Sequence, residues 1–288
     1  MQRNSAKMSF SFSESWVVLN PLEQSIKQKI ESVGTSLSRW NVSINYGIKT
    51  GMNEAFIISG AKRDELIAAD PKSADIIRPI LRGRDIKRYN YTHADLWLIA
   101  TFPSRHYSID DYPAVRDYLL SFGVERLEQT GVTRIIDGQK ITSRKKTNNK
   151  WFETQDSISY WDDFSKQRIV YREISEAMDA CLVEPEVYIN NKCYMIAGDH
   201  LIYILSFINS QLFTKIILQQ ANITGGKGEG FLSAIPLIKP SVVIERRIEE
   251  LYQKRIEGGL QDTIDAEVER VFCDLYGLTN EERRFIYG

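Results

Sequence analysis

The chain is poor in the residues that carry most metal and nucleophile chemistry. Of its 288 residues, only three are cysteine and three are histidine. Cys181, Cys193 and Cys273 lie far apart, no two at zinc-ligand spacing, and His93, His106 and His200 do not gather beside them. This argues against a zinc module and a disulfide framework, and reads as reduced thiols in a cytoplasmic protein. Long apolar runs are missing too. None approaches the roughly 20 residues of a membrane helix, and the polar stretch Met1–Glu14 does not read as a secretory leader. Net charge is nearly absent, with 37 Lys+Arg against 38 Asp+Glu. A free-standing nucleic-acid binder is usually basic, so any anion binding must come from local patches. No Asn- or Asp-Pro-Pro-aromatic loop of an amino-methyltransferase is present. Asn20-Pro21-Leu22 lacks the second proline and the aromatic, and is explained as a helix cap.

What is there is an ordinary globular composition, 43% apolar and 26% charged, with length for one large domain or two small ones. The charges are unevenly placed. Arg78, Arg82, Arg84, Lys87 and Arg88 stand against one acid, Asp85; Arg134, Lys140, Arg144, Lys145, Lys146 and Lys150 stand against Asp137. Two segments put glycine beside cations and small polar groups next to an apolar run: Gly47–Ile58 and Ile80–Tyr89. That is chemistry for holding an anion, with no residue able to perform a reaction unaided.

The coarse pattern mixes helices and strands. Asn20 and Glu23 bracket a helix start with Leu22, Ile26, Ile30 and Val33 on one face, stopped at Gly34. Strands are expected at Ala55–Ile58, Leu96–Thr101 and Arg168–Ile174, and helices at Arg63–Ala69, Ser73–Ile77 and from Tyr112-Pro113 onward. Gly131–Asn149 has no apolar period and is expected to be a long exposed loop. Val187–Asn190 and Cys193–Ala197 suggest a hairpin around Asn191-Lys192. Asp199 should cap a helix carrying Leu201, Leu205, Ile208, Leu212 and Ile216. After Pro240, two apolar stripes (Ile244–Arg255 and Leu260–Leu275) and a Thr279–Glu282 capping box form a C-terminal helical hairpin.

Three chemistries compete for these features. Gly225–Gly230 follows a helix rather than a strand and lacks a Lys-Ser/Thr pair, so it fails the context of both a P-loop and a dinucleotide turn. It remains a flexible loop, with Lys227 as a phosphate contact. Asp75, Asp85 and Lys87 could form the carboxylate–lysine set of a small Mg²⁺-dependent nuclease. The basic loops offer a third reading, with cations on phosphates and Arg, Lys, Asn and Gln at base edges. A protein-interaction module built on the C-terminal hairpin is a further alternative. Trp151, Phe152, Tyr160 and Trp161 read as core residues.

Several segments in order resemble the TaqI-like C-terminal specificity domain, the target-recognition region of type IIG restriction-modification enzymes and related adenine-specific DNA methyltransferases. They are Ile44–Ile58, Ile77–Tyr89, Trp97-Leu98-Ile99, Tyr112–Val115, Trp151–Gln155, Tyr160-Trp161, Lys166–Glu173, Asn209-Ser210 and Ile264 through Thr279. The resemblance covers roughly Trp16 to the end. It implies an α+β, mixed-sheet DNA target-recognition domain with flanking helices, spanning 40–240 between a polar N-terminus and linker helix (1–39) and a C-terminal helical region (241–288). It also implies double-stranded DNA and an N-terminal methyltransferase domain as partners, no membrane, and no catalytic residue or cofactor in this chain. S-adenosylmethionine, and Mg²⁺ where a nuclease is present, would belong to the catalytic part. On this reading Arg82, Arg84, Lys87, Lys145, Lys146 and Lys227 are phosphate candidates. Lys49, Asn53, Arg105 and Gln155 are base-edge candidates, and Thr50, in the same loop as Lys49 and Asn53, is a further DNA-binding candidate. Gly47, Gly51 and Gly83 serve backbone geometry.

Overall fold

The computed structural model describes residues 19–173, 178–218 and 228–287. Two four-stranded sheets organise it. In the first, the order is Ala180–Val183, Arg168–Arg172, Cys193–Gly198 and Val42–Tyr46, antiparallel throughout, with Ile169 opposite both Leu182 and Ile196. Successive side chains of a strand point to opposite faces. Ile169, Tyr171, Ala180, Leu182 and Ile196 therefore enter one core, while Val170, Cys181, Val183, Cys193 and Met195 enter another. A sheet covered on both faces needs apolar residues at consecutive positions, which explains the unbroken Ile-Val-Tyr run.

The second sheet is mixed, ordered Tyr188–Ile189, Ile77–Leu81, Leu96–Ile99 and Ile57–Ser59, with only the first pair parallel. It shares its core with the inward face of helix Pro113–Leu120 (Val115, Leu119) and with Leu66 of helix Gly60–Ala69. The strand expected from Ala55 begins instead at Ile57, because Asn53–Phe56 closes one helical turn. The hairpin expected around Asn191-Lys192 does not form. Tyr188 and Ile189 pair with Ile80 and Leu81 in the second sheet, while Cys193–Gly198 joins the first. Alternation identified the strands, but it carries no information about their partners.

The other face of the first sheet is covered by helices. Asn20 and Glu23 form the expected capping box of helix Pro21–Val33, and Gly34 caps its end. Ile26 and Ile30 pack in one core with Ile204 and Phe207 of helix Leu201–Ile208, Ile248 of helix Val242–Ile256 and Phe272 of helix Gln261–Leu275. Side chains from 1–39, 40–240 and 241–288 thus meet in a single core. Asp199 does not cap Leu201–Ile208. It accepts from the Asn41 amide (2.9 Å), and His200, at φ 58°, holds the cap position. Arg88, part of the basic run, is drawn into this layer by Asp265 (2.6 and 2.9 Å). Residues 174–177 and 219–227 lie outside the described residues, and with them Lys227 and the end of the strand expected to reach Ile174. No described helix is long and apolar enough to cross a membrane.

Candidate nucleic-acid interface

Three loops converge where the chain crosses between the sheets. The Gly47 N–H donates to Cys193 O (2.8 Å), the Ile48 N–H to Ile189 O (2.8 Å), the Asn191 N–H to Ile48 O (3.0 Å) and the Asn190 N–H to Leu81 O (2.9 Å). A Cβ at Gly47 would lie 2.0 Å from Asn190 O, so only glycine allows this approach; Gly51 is needed for its φ of +80°. Locking the loops together opens a concavity of about 450 Å³ lined by Asn53, Arg82, Gly83, Arg84, Arg172, Asn190 and Lys192. Its wall carries four cationic side chains and no carboxylate.

The four cations are not equivalent. The Arg82 Nε and Nη2 donate to the two oxygens of Asp85 (2.9 Å each), and the Arg82 N–H adds a third bond (2.8 Å). Burial pushes the Asp85 carboxyl up, but these bonds outweigh it and hold it below the usual carboxylate range. Arg172 pairs with Asp179. Lys192 is exposed, with Glu173 at a loose 3.8 Å, and Arg84 is exposed with no ion pair among the described residues. Arg82 and Arg172 are therefore oriented by carboxylates, while Arg84 and Lys192 are the exposed charges open to an anion.

The carboxylate–lysine set of the alternative nuclease reading is not brought together. Asp85 is buried and bound by Arg82, Asp75 is exposed at the end of the 3₁₀ turn Pro71–Asp75, and Lys87 is exposed on a separate two-residue strand. Among the described residues, no three His, Cys, Asp or Glu side chains gather as a metal site.

The candidates divide by position. Asn53, Arg82 and Arg84 share the concavity; Lys49, Lys87, Arg105, Lys145 and Lys146 are exposed but outside its wall. Lys49 and Lys145 both act on Asp156, whose carboxyl is nonetheless pushed up by burial. Arg105 stacks over Trp161 at 3.9 Å. Thr50, expected as a DNA contact, and Gln155, expected at a base edge, are both buried and face inward. The Thr50 hydroxyl donates to Asn53 Oδ1 (2.7 Å) and orients it, and the Gln155 N–H donates to Lys49 O (3.1 Å). Arg172, Asn190 and Lys192 were not expected. Lys192 was visible only as a polar turn residue, and Arg172 was hidden in an apolar strand.

Gly131–Asn149 is not an irregular loop. Thr133–Ile136 and Gln139–Thr142 pair as a hairpin, turned by Asp137 and Gly138 at φ +50° and +78°. The Asp-Gly pair was the available signal, since both turn positions require positive φ. Nor is Arg144 a surface cation. It is 5% exposed and donates to four backbone carbonyls, those of Leu127, Thr50, Glu153 and Trp151.

A family model described as the TaqI-like C-terminal specificity domain matches residues 78–228. Among solved structures, the type IIL restriction-modification enzyme MmeI, determined in complex with DNA, is similar with a TM-score of 0.55 at 14% identity, over 88% of this chain and 36% of that one. The type IIG restriction endonuclease BpuSI aligns with a TM-score of 0.46 at 13% identity, over 92% of this chain and 33% of that one. The chain therefore spans about a third of the length of these structures, and at 14% identity the likeness to MmeI concerns the fold alone. Comparison with curated proteins gives no match.

Proposed function

The chain belongs to the TaqI-like C-terminal specificity domain family, and from that premise we propose that it reads a short sequence in duplex DNA for a restriction-modification enzyme. The observation that carries this is the concave wall of four cations and two asparagines, with Arg82 and Arg172 fixed by carboxylates and Arg84 and Lys192 left open. Cations on phosphates supply affinity and register, and Asn side chains can bond base edges. The catalytic steps belong to a partner: an N-terminal adenine methyltransferase domain using S-adenosylmethionine, with Mg²⁺ where a nuclease accompanies it. The near-zero net charge suits a module whose remaining surface packs on that partner, in the cytoplasm where the DNA is.

The test is binding of the chain to a randomised duplex pool at two salt concentrations. Affinity should fall as salt rises, and Arg84→Ala with Lys192→Ala should reduce the slope of log K on log salt by about 1.8, about 0.9 per phosphate contact. A slope unchanged by the double variant would remove the concavity as the DNA site. Incubation with Mg²⁺ and duplex DNA should give no cutting; cleavage abolished by Asp85→Ala would overturn the reading in favour of a nuclease.

A further inference from the structure

The hairpin Thr133–Thr142 has two faces of different character. Its register sets Thr133 opposite Thr142, Arg134 opposite Ile141, Ile135 opposite Lys140 and Ile136 opposite Gln139. Side chains opposite one another share a face, and alternate pairs change face. Arg134, Ile136, Gln139 and Ile141 therefore form one face, on which Ile136 and Ile141 are half-buried. Thr133, Ile135, Lys140 and Thr142 form the other, and all four are exposed, Ile135 at 78%.

An isolated two-stranded hairpin is marginal in water, so this one depends on its base. Arg144 ties the base to four buried carbonyls. Ser143 Oγ lies 2.8 Å from Thr130 Oγ1 and accepts from the Val132 N–H (2.9 Å), and Arg134 pairs with Glu128 (3.2 Å). The inward face is thus tied to the body, and the outward face is held away from it. On that face Lys140 is exposed; Lys145 and Lys146, also exposed, follow the hairpin in the sequence, and the one acid between Gly131 and Lys150 is Asp137 in the turn. A single exposed isoleucine is unremarkable. One set on an outward ribbon face that carries no acid, directly opposite a lysine, has a specific complement.

We propose that this outward face enters the major groove of duplex DNA, with Ile135 against a thymine 5-methyl and Lys140 on the adjoining phosphate. The major groove admits a two-stranded ribbon, and apolar side chains there distinguish thymine by its methyl. Lys140, exposed beside Ile135 on a face without an acid, supplies the charge for a phosphate. This rests on the DNA-recognition reading above and adds a named reading element outside the concavity.

The test uses the full chain and the duplex consensus it selects from a randomised pool, remade with deoxyuridine in place of each thymine in turn. One replacement should weaken wild-type binding about fourfold, the worth of one buried methyl, and should have no effect on Ile135→Ala. Lys140→Ala should lower the salt slope by about one contact. Both residues are exposed, so the variants should unfold with the wild-type midpoint. If no thymine replacement matters and Ile135→Ala selects the same consensus, the hairpin is not a reader, although specific DNA binding stands. If the wild-type chain selects no consensus, the recognition reading falls and the hairpin proposal with it.

Discussion

Replacing Arg144 with methionine should destabilise the protein far more than its place in a basic, polar stretch suggests. Its Nε donates to Leu127 O (2.8 Å), its Nη1 to Thr50 O and Glu153 O (2.8 Å each), and its Nη2 to Trp151 O (2.6 Å), with the guanidinium 4.9 Å over the Phe56 ring. Burial lowers its pKa to about 10, Glu153 pulling the other way, so it stays charged at neutral pH. Methionine can fill the stem's volume but satisfies none of the carbonyls. A hydrogen bond to a charged group contributes about 1.5–3 kcal/mol, and the four are not additive. Each buried carbonyl left unpaired costs about 1–3 kcal/mol, so the loss should reach at least about 3 kcal/mol, against a typical domain stability of about 5–15 kcal/mol. In urea unfolding the midpoint should fall by at least about 1 M. Arg144→Lys should recover little, since a single ammonium cannot reach four carbonyls spread around a planar fork. A loss below about 1 kcal/mol in Arg144→Met would refute the reasoning, because it would mean that water replaces the guanidinium at every carbonyl.

Gly47→Ala should lower the melting temperature by several degrees and weaken duplex binding together, because its Cβ would meet backbone, Asn190 O at 2.0 Å, and overpacking costs about 1–3 kcal/mol; an unchanged melting curve would count against the loop crossing. Glu282 has an acid-dependent role. Burial alone would raise its pKa, but hydrogen bonds from Lys29, the Thr279 N–H and Ser25 outweigh this and hold it at about 2, against 4.5 for a free glutamate. A carboxyl depressed on folding stabilises above its unfolded value, and the stabilisation is lost as pH falls from about 4.5 through about 2, on the order of 3 kcal/mol. The gap between the urea midpoints of the wild type and Glu282→Gln should therefore narrow between pH 6 and pH 3; parallel curves would show that the network contributes nothing. Asp85→Asn should lower stability and weaken duplex binding, since Arg82 loses the carboxylate that aims it (2.9 Å); retained binding at full strength would mean that Arg82 does not touch the DNA.

Local chemistry made much of the chain legible. The Asn20–Glu23 capping box, the Pro113 helix start and the Thr279–Glu282 box each depend on residues within one turn of each other, and each appears where expected. The misreadings share one cause. Asn191-Lys192 looked like a hairpin turn because both flanks alternate, yet the flanks belong to different sheets. Thr50 and Gln155 looked like contact residues because they sit among cations, yet burial turns them inward. Arg144 looked like one more surface charge until its four carbonyl partners came from three separate stretches of chain.

The amino-acid order alone therefore determined the α+β character, the capped helix starts at Pro21 and Pro113, and the family. Propensity, capping and recurring short motifs act over a few residues and can be read in one dimension. Only the tertiary structure decided which cations face outward. Arg82 and Arg88 sit in one basic run with Arg84, but Asp85 takes the first and Asp265 the second, while Arg172 from a strand and Lys192 from a turn complete the wall. A charge's availability depends on who its neighbours are within about 4 Å, and those neighbours here lie up to 177 residues away along the chain.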